Sequence, residues 1–143
     1  MINTPSIEEA RRLIKKTETL KIVLAQNDEF NRKMLEYGHF DILLSPEAGN
    51  RKNKVRQTDS GLNHVLTKIA AKNKIAIGIN LEELKTREPK EKAQRLARIK
   101  QNIQLCRKAK TRLAVKTKHL HDAQDILQSL GAATQQTKET IVF

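Results

Sequence analysis

The chain has 143 residues, 38% of them hydrophobic and 31% charged, which suits one compact domain with a real core and excludes a chain that is disordered throughout. Its 28 lysines and arginines against 16 acidic residues leave a net charge of +12, a field that draws polyanions rather than acidic or neutral small substrates. No apolar run approaches the roughly 20 residues of a membrane span, Met1 to Arg12 lacks the basic-then-apolar order of a signal peptide, and the lone Cys106 closes no internal disulfide, so a reduced, cytoplasmic protein with no membrane partner is expected.

The first helix is announced by Pro5 and Ser6, with Glu9 three residues on to complete a capping box; Ile7, Ala10, Leu13 and Ile14 form its apolar side. Ile22 to Ala25 is too short for a helix and reads as a buried strand. Asn27 and Asp28 cap a second helix that runs to about Tyr37 and stops at Gly38, and Ile42 to Leu44 is the second strand. Glu47 to Gln57 has no periodicity and reads as a loop, free to adapt to a partner. From Leu62, the spacing Leu62, Val65, Leu66, Ile69 and Ala70 marks one face of a helix. Ile75 to Ile79 is the third strand, and Glu82 to Lys92, with Pro89, reads as a polar connector.

The longest helix runs from about Lys90 to Lys110, with Leu96, Ile99, Ile103 and Cys106 facing inward. Lys90, Gln94, Gln101 and Lys108 lie opposite, with Arg98 beside them, so its outer side is expected to be polar and basic. Leu113 to Val115 is a fourth strand, Asp122 to Leu130 a closing helix stopped by Gly131, and Ile141 to Phe143 a short terminal strand. Apolar strands alternating with helices indicate the α/β class, with a parallel sheet covered by helices. One domain over 1–143 is read: an N-terminal helix in 1–20, βα units in 21–118, and a closing helix and tail in 119–143.

Two basic groups stand out. Arg51, Lys52, Lys54 and Arg56 crowd the first long loop, and Lys110, Arg112, Lys116 and Lys118 gather around the fourth strand. Arginine grips phosphate bidentately and lysine supplies a point charge, so these residues are the candidate phosphate contacts. A charge run is ordinarily a solvated face; the net excess tilts the reading toward nucleic acid. Aromatic residues are only 3%, with no tryptophan, which leaves no platform for stacking single-stranded bases, so phosphates and shape are the features to be read.

No catalytic site is expected. Ser45, Ser60 and Cys106 have no base at a recognisable spacing, and the adjacent pairs Glu8–Glu9 and Glu82–Glu83 look like solvated surface. His64 is expected to be packed or hydrogen-bonded in its helix. His119 and His121, with Asp122, follow a strand, where α/β folds place functional loops, but do not make a three-ligand metal set. Ser60, His64 and His119 are therefore kept as structural or site candidates, with no metal assigned.

Three segments carry a family resemblance: Phe40-Asp41-Ile42-Leu43-Leu44-Ser45-Pro46-Glu47, Asp59-Ser60-Gly61-Leu62-Asn63-His64-Val65-Leu66, and Ile75-Ala76-Ile77-Gly78-Ile79-Asn80-Leu81. In this order and spacing they resemble the central signature of ribonuclease P protein component 3, the TIM-barrel-type protein subunit of archaeal and eukaryotic ribonuclease P. A weaker likeness continues through the basic helix at Arg95 to Arg107, which adds Arg95 to the candidate RNA contacts, and through Leu113 to Lys118. It covers about Lys21 to Ile141. The sequence departs from the family pattern at Ser45, where histidine is frequent, at Asn63, where aspartate is usual, and in length, since a closed eight-stranded barrel takes about 250 residues with a lower limit near 200.

The resemblance implies a partial, half-barrel sheet of four to five strands whose open edges a homodimer or a partner subunit would cover. It further implies an RNA-binding, non-catalytic subunit of a ribonucleoprotein endonuclease that removes the 5′ leader from precursor tRNA. Mg2+ would then sit on the ribonuclease P RNA rather than on this chain, and ribonuclease P protein component 2 would be a partner. The competing readings are a metal-dependent phosphoesterase of the related barrel superfamily and a generic, ribosome-associated RNA-binding protein.

Overall fold

The computed structural model describes residues 1–49, 51–53 and 57–143. Five parallel strands lie side by side in chain order: β1 (Ile22–Leu24), β2 (Ile42–Leu44), β3 (Ala76–Asn80), β4 (Leu113–Lys116) and β5 (Ile141–Val142). Ile22, Ile42 and Ala76 are in register across the first three strands, while Gly78 pairs with Ala114 and Ala114 with Ile141. Strands that pair in sequence order, each joined to the next through helix, wind in one direction. This is the arrangement of a (β/α) barrel wall rather than of a doubly wound sheet. The α/β half-barrel expectation is met, and the terminal strand is present.

The strand period of two divides the sheet into unlike faces. Val23, Leu43, Ile77, Ile79, Leu113 and Val115 join one large apolar cluster with the buried faces of the helices. Ile42, Ala76 and Ala114 form a second cluster with Ile22, Ile141 and Phe143, to which no helix contributes. That second face is where a barrel's interior would lie. Gly78 belongs to it for want of space: a Cβ there would sit 2.8 Å from Ile42 and 2.9 Å from Leu44.

Local signals set most boundaries. In α1 (Ile7–Lys16), Ser6 Oγ accepts from Glu9 N, but the Glu9 carboxylate accepts from Thr4 Oγ1 instead of closing the box on Ser6. In α2 (Asp28–Tyr37), Asn27 caps Phe30 N, and Gly38, at φ 70, ends the helix. The helix expected from Leu62 starts two residues later, as α3 (His64–Lys72), because Asn63 takes the cap and accepts from Leu66 N at 2.9 Å.

Two segments differ from expectation. The polar connector 82–92 contains a helix, α4 (Leu81–Lys85), capped by Asn80 and anchored by buried Leu81 and Leu84, and Pro89 begins α5 (Pro89–Ala109). Beyond α6 (Leu120–Ser129), a further short helix, α7 (Thr134–Glu139), buries no residue fully but ties itself to α5 through Gln136 Nε2, which donates to the Ile103 carbonyl.

The inner face of α5 is the largest correction. Arg95, Arg98 and Asn102 are buried on the same stripe as Ile99, Ile103 and Cys106, so Arg98 does not lie on the exposed basic side. Leu96, expected inside, is only half-buried. Burial pushes the Cys106 thiol up to about 12, which keeps it protonated and inert.

Candidate nucleic-acid interface

The carboxyl ends of the strands are occupied by the long connection between β2 and α3, and its described residues are held closely rather than left free. Ser45 leaves β2 in the left-handed region, at φ 58, and its buried hydroxyl has no partner among the described residues. The chain then folds back on itself. Arg51, with 8% of its side chain exposed, donates from Nε to the Pro46 carbonyl at 2.9 Å, and its Nη1 reaches Asp28 at 2.7 Å and Asp59 at 3.3 Å. Asp59 also accepts from Gly61 N. Gly61 sits at φ 81, with its missing Cβ only 2.0 Å from the Pro46 carbonyl oxygen, so no other residue fits this fold-back.

Helix α5 fastens this loop from outside. Arg98 Nη2 donates to the Arg51 carbonyl at 2.8 Å, Gln101 Nε2 to the Thr58 carbonyl at 3.1 Å, and Asn102 Nδ2 to the Ser60 carbonyl at 3.1 Å. Ser60 is buried, and its hydroxyl binds the Leu62 carbonyl and Gln101, which makes it part of the framework.

Arg95 anchors a buried charge network. It is 4% exposed and contacts Glu47 and Glu83 at 2.9 Å each, and Glu83 passes the chain on to Arg87. Glu47 is itself enclosed; burial raises its carboxyl above the usual range, opposed by the Arg95 hydrogen bond and charge. The expectation that Arg95 meets RNA is thus corrected: both of its terminal nitrogens are held by carboxylates. Arg51, expected in a freely adapting loop, is likewise engaged internally and pins its own stretch of the loop. Lys54 and Arg56 lie outside the described residues.

The remaining candidates are on the surface but not together. Lys52 is exposed on the loop. Lys116 and Lys118 flank the carboxyl end of β4, on the same end of the sheet, and Lys118 N donates to Glu82. Arg112 precedes β4 and so lies at the opposite end, where its Nε donates to the Glu139 carbonyl; with Lys110, which caps α5, it forms no patch with Lys116 and Lys118. His119 caps α6 by position and is exposed, and His64 is exposed as the first residue of α3 instead of packed. Among the described residues, no three of His, Cys, Asp and Glu are grouped to hold a metal ion, and no helix is long and apolar enough to cross a membrane.

Glu47, Glu83, Arg98 and Asn102 were not foreseen as a unit. For α5 the signal is spacing alone: 95, 98, 102 and 106 recur at three and four, a helix stripe that hydrophobicity conceals because three of its members are polar.

No family model matches the chain. Similarity to curated proteins is nevertheless consistent. Ribonuclease P protein component 3 of Methanocaldococcus jannaschii is 29% identical over 119 residues, covering 81% of this chain and 48% of that protein. The proteins of the same name from Methanococcus vannielii and Methanosarcina mazei are 32% and 37% identical over 87 residues, 61% of this chain, and 35% and 33% of their own lengths. The chain thus spans half or less of these curated relatives. Among solved structures, a chain in the cryo-EM structure of archaeal ribonuclease P with mature tRNA matches 96% of this chain with a TM-score of 0.79 and 26% identity, over 61% of that chain's own length.

Proposed function

From the premise that this chain is related to the ribonuclease P protein component 3 family, we propose that it is an RNA-binding, non-catalytic subunit of a ribonuclease P. The observation that carries the reading is the joint agreement of sequence and backbone: the half-barrel matches over nearly its whole length a chain solved in an archaeal ribonuclease P. In this role the chain supports 5′-leader removal from precursor tRNA, the RNA carries the catalytic Mg2+, and the +12 charge serves to neutralise phosphates. Protein component 2 is the proposed protein partner, and it or a second copy of the chain would meet an open sheet edge.

The lysines at the carboxyl end of the sheet are the proposed contacts: the exposed Lys52 and Lys118 and the half-buried Lys116. Arg95 has no part in that role, and Arg112 belongs to the other end. Binding to the cognate ribonuclease P RNA, measured over a range of salt, tests this. Replacing the three lysines with alanine should lower the log–log salt slope by about 0.9 for each duplex phosphate no longer neutralised, or about 0.7 for each single-strand phosphate. A wild-type protein that ignores this RNA at low ionic strength, or that cleaves precursor tRNA without RNA, would overturn the reading.

A further inference from the structure

Arg98 is an anomaly in the charge network. Its side chain is buried, with the residue 7% exposed, yet no carboxylate among the described residues lies within 4 Å of it. Residues 50 and 54–56, outside the described set, contain no acid that could supply one. Among the described residues its only hydrogen bond runs from Nη2 to the Arg51 carbonyl, and its Nε is buried without a partner. A buried cation without a counter-charge costs several kcal/mol. Each neighbouring arginine is matched: Arg51 by Asp28 and Asp59, Arg87 by Glu83 and Glu91, Arg95 by Glu47 and Glu83.

Arg98 does not face packed core. It lines a cavity of about 350 Å³ together with Gly49, Arg51, Arg87, Arg95 and Glu83. Gly49 stands at φ 95, with nothing within 4 Å of where its Cβ would be, so backbone rather than side chain borders the space. The Arg95 Nε on the same wall is also buried, with no partner among the described residues. The carboxylates on this wall, Glu83 and Glu91, already hold Arg87, and Glu83 holds Arg95 as well, which leaves Arg98 as the uncompensated charge.

We propose that this cavity is a phosphate site, with Arg98 as its principal ligand and Arg87 at its mouth. A guanidinium offers a planar fork that matches two oxygens of a phosphate. The cavity stands at the carboxyl ends of the strands, where α/β sheets bind ligands. The anion is either one phosphate of a bound RNA or free inorganic phosphate. The first source rests on the RNA-binding reading, whereas the site itself does not.

The test begins with the purified full chain and inorganic phosphate. Thermal melting is followed against phosphate concentration, with chloride replaced at constant ionic strength. Wild type should show a rise in Tm that grows with the logarithm of phosphate concentration. Arg98→Met, measured against its own Tm in chloride, should be flat against phosphate. Arg98→Lys, which keeps the charge without the fork, should retain a smaller rise. No phosphate-specific rise in wild type, or the same rise in Arg98→Met, would overturn the site.

A second arm separates the sources. If an RNA phosphate fills the cavity, adding inorganic phosphate at constant ionic strength should weaken wild-type RNA binding several-fold and leave Arg98→Met unaffected. Competition equal in the two proteins would overturn the RNA source while the melting result still supports the site. Absence of any RNA binding would instead overturn the functional reading and leave the phosphate site standing.

Discussion

The arginines and lysines at the carboxyl end of the sheet carry the same charge and do opposite work. Arg51, Arg95 and Arg98 are enclosed and fasten the β2–α3 connection to α5 through carbonyls and carboxylates. Lys52 and Lys118 are exposed, and Lys85 pairs at the surface with Asp122 and, at 3.8 Å, with Glu82. A guanidinium can be taken out of water where fixed acceptors meet several of its donors, as at Arg51 and Arg95, whereas an ammonium is strongly hydrated and stays where water reaches it. Net charge therefore overstates what this end of the molecule can offer to a polyanion.

The sharpest way to break that contrast is Arg95→Leu. It strands Glu47 in the interior, and a loss of about 3–5 kcal/mol is expected from denaturant unfolding. The double variant Arg95→Leu, Glu47→Leu should recover much of it, because the uncompensated charge has been removed along with its partner. Next in size is Arg51→Lys, which preserves charge but cannot reproduce the fork that reaches Pro46, Asp28 and Asp59 together; a loss of about 1–3 kcal/mol is expected by the same measurement. If Lys serves as well as Arg there, the distinction drawn between the two side chains fails.

The smallest effect belongs to Lys85→Gln. Asp122 is held below the ordinary carboxylate range, first by the hydrogen bond from Lys85 and also by its charge. A carboxyl whose pKa is lower when folded stabilises above its unfolded value, near about 3.9, and ceases to do so as pH falls through the folded value. The Tm difference between wild type and Lys85→Gln should therefore be slight at neutral pH, smaller than for either arginine variant, and should vanish in strong acid.

The same contrast explains how far the sequence could be read. Strands and caps were legible because their signals are local: Asn27 with Gly38 bounds α2, and Ile42 to Leu44 can only be an enclosed strand. The α4 helix was hidden because Glu82, Glu83 and Lys85 look like connector, although Leu81 and Leu84 carry its burial. The charge network was hidden for a deeper reason. Arg95 finds Glu47 across 48 positions, and nothing near either residue marks it as enclosed. Polarity predicts exposure only until a long-range partner exists. For the candidate interface, residue type identified Lys52, Lys116 and Lys118, while only the fold shows that Arg112 stands at the far end of its strand.

Before α1, Ile2 forms a single parallel bridge with Val23, donating to the Ile22 carbonyl and accepting from Leu24 N. This short stretch occupies the outer hydrogen-bonding side of β1. At this margin of the sheet the outer side of β1 is already taken, by a residue that is itself buried in the core. Any association that adds a strand beside β1 must first peel Ile2 away, so growth by repeated end-to-end sheet pairing is hindered at one side.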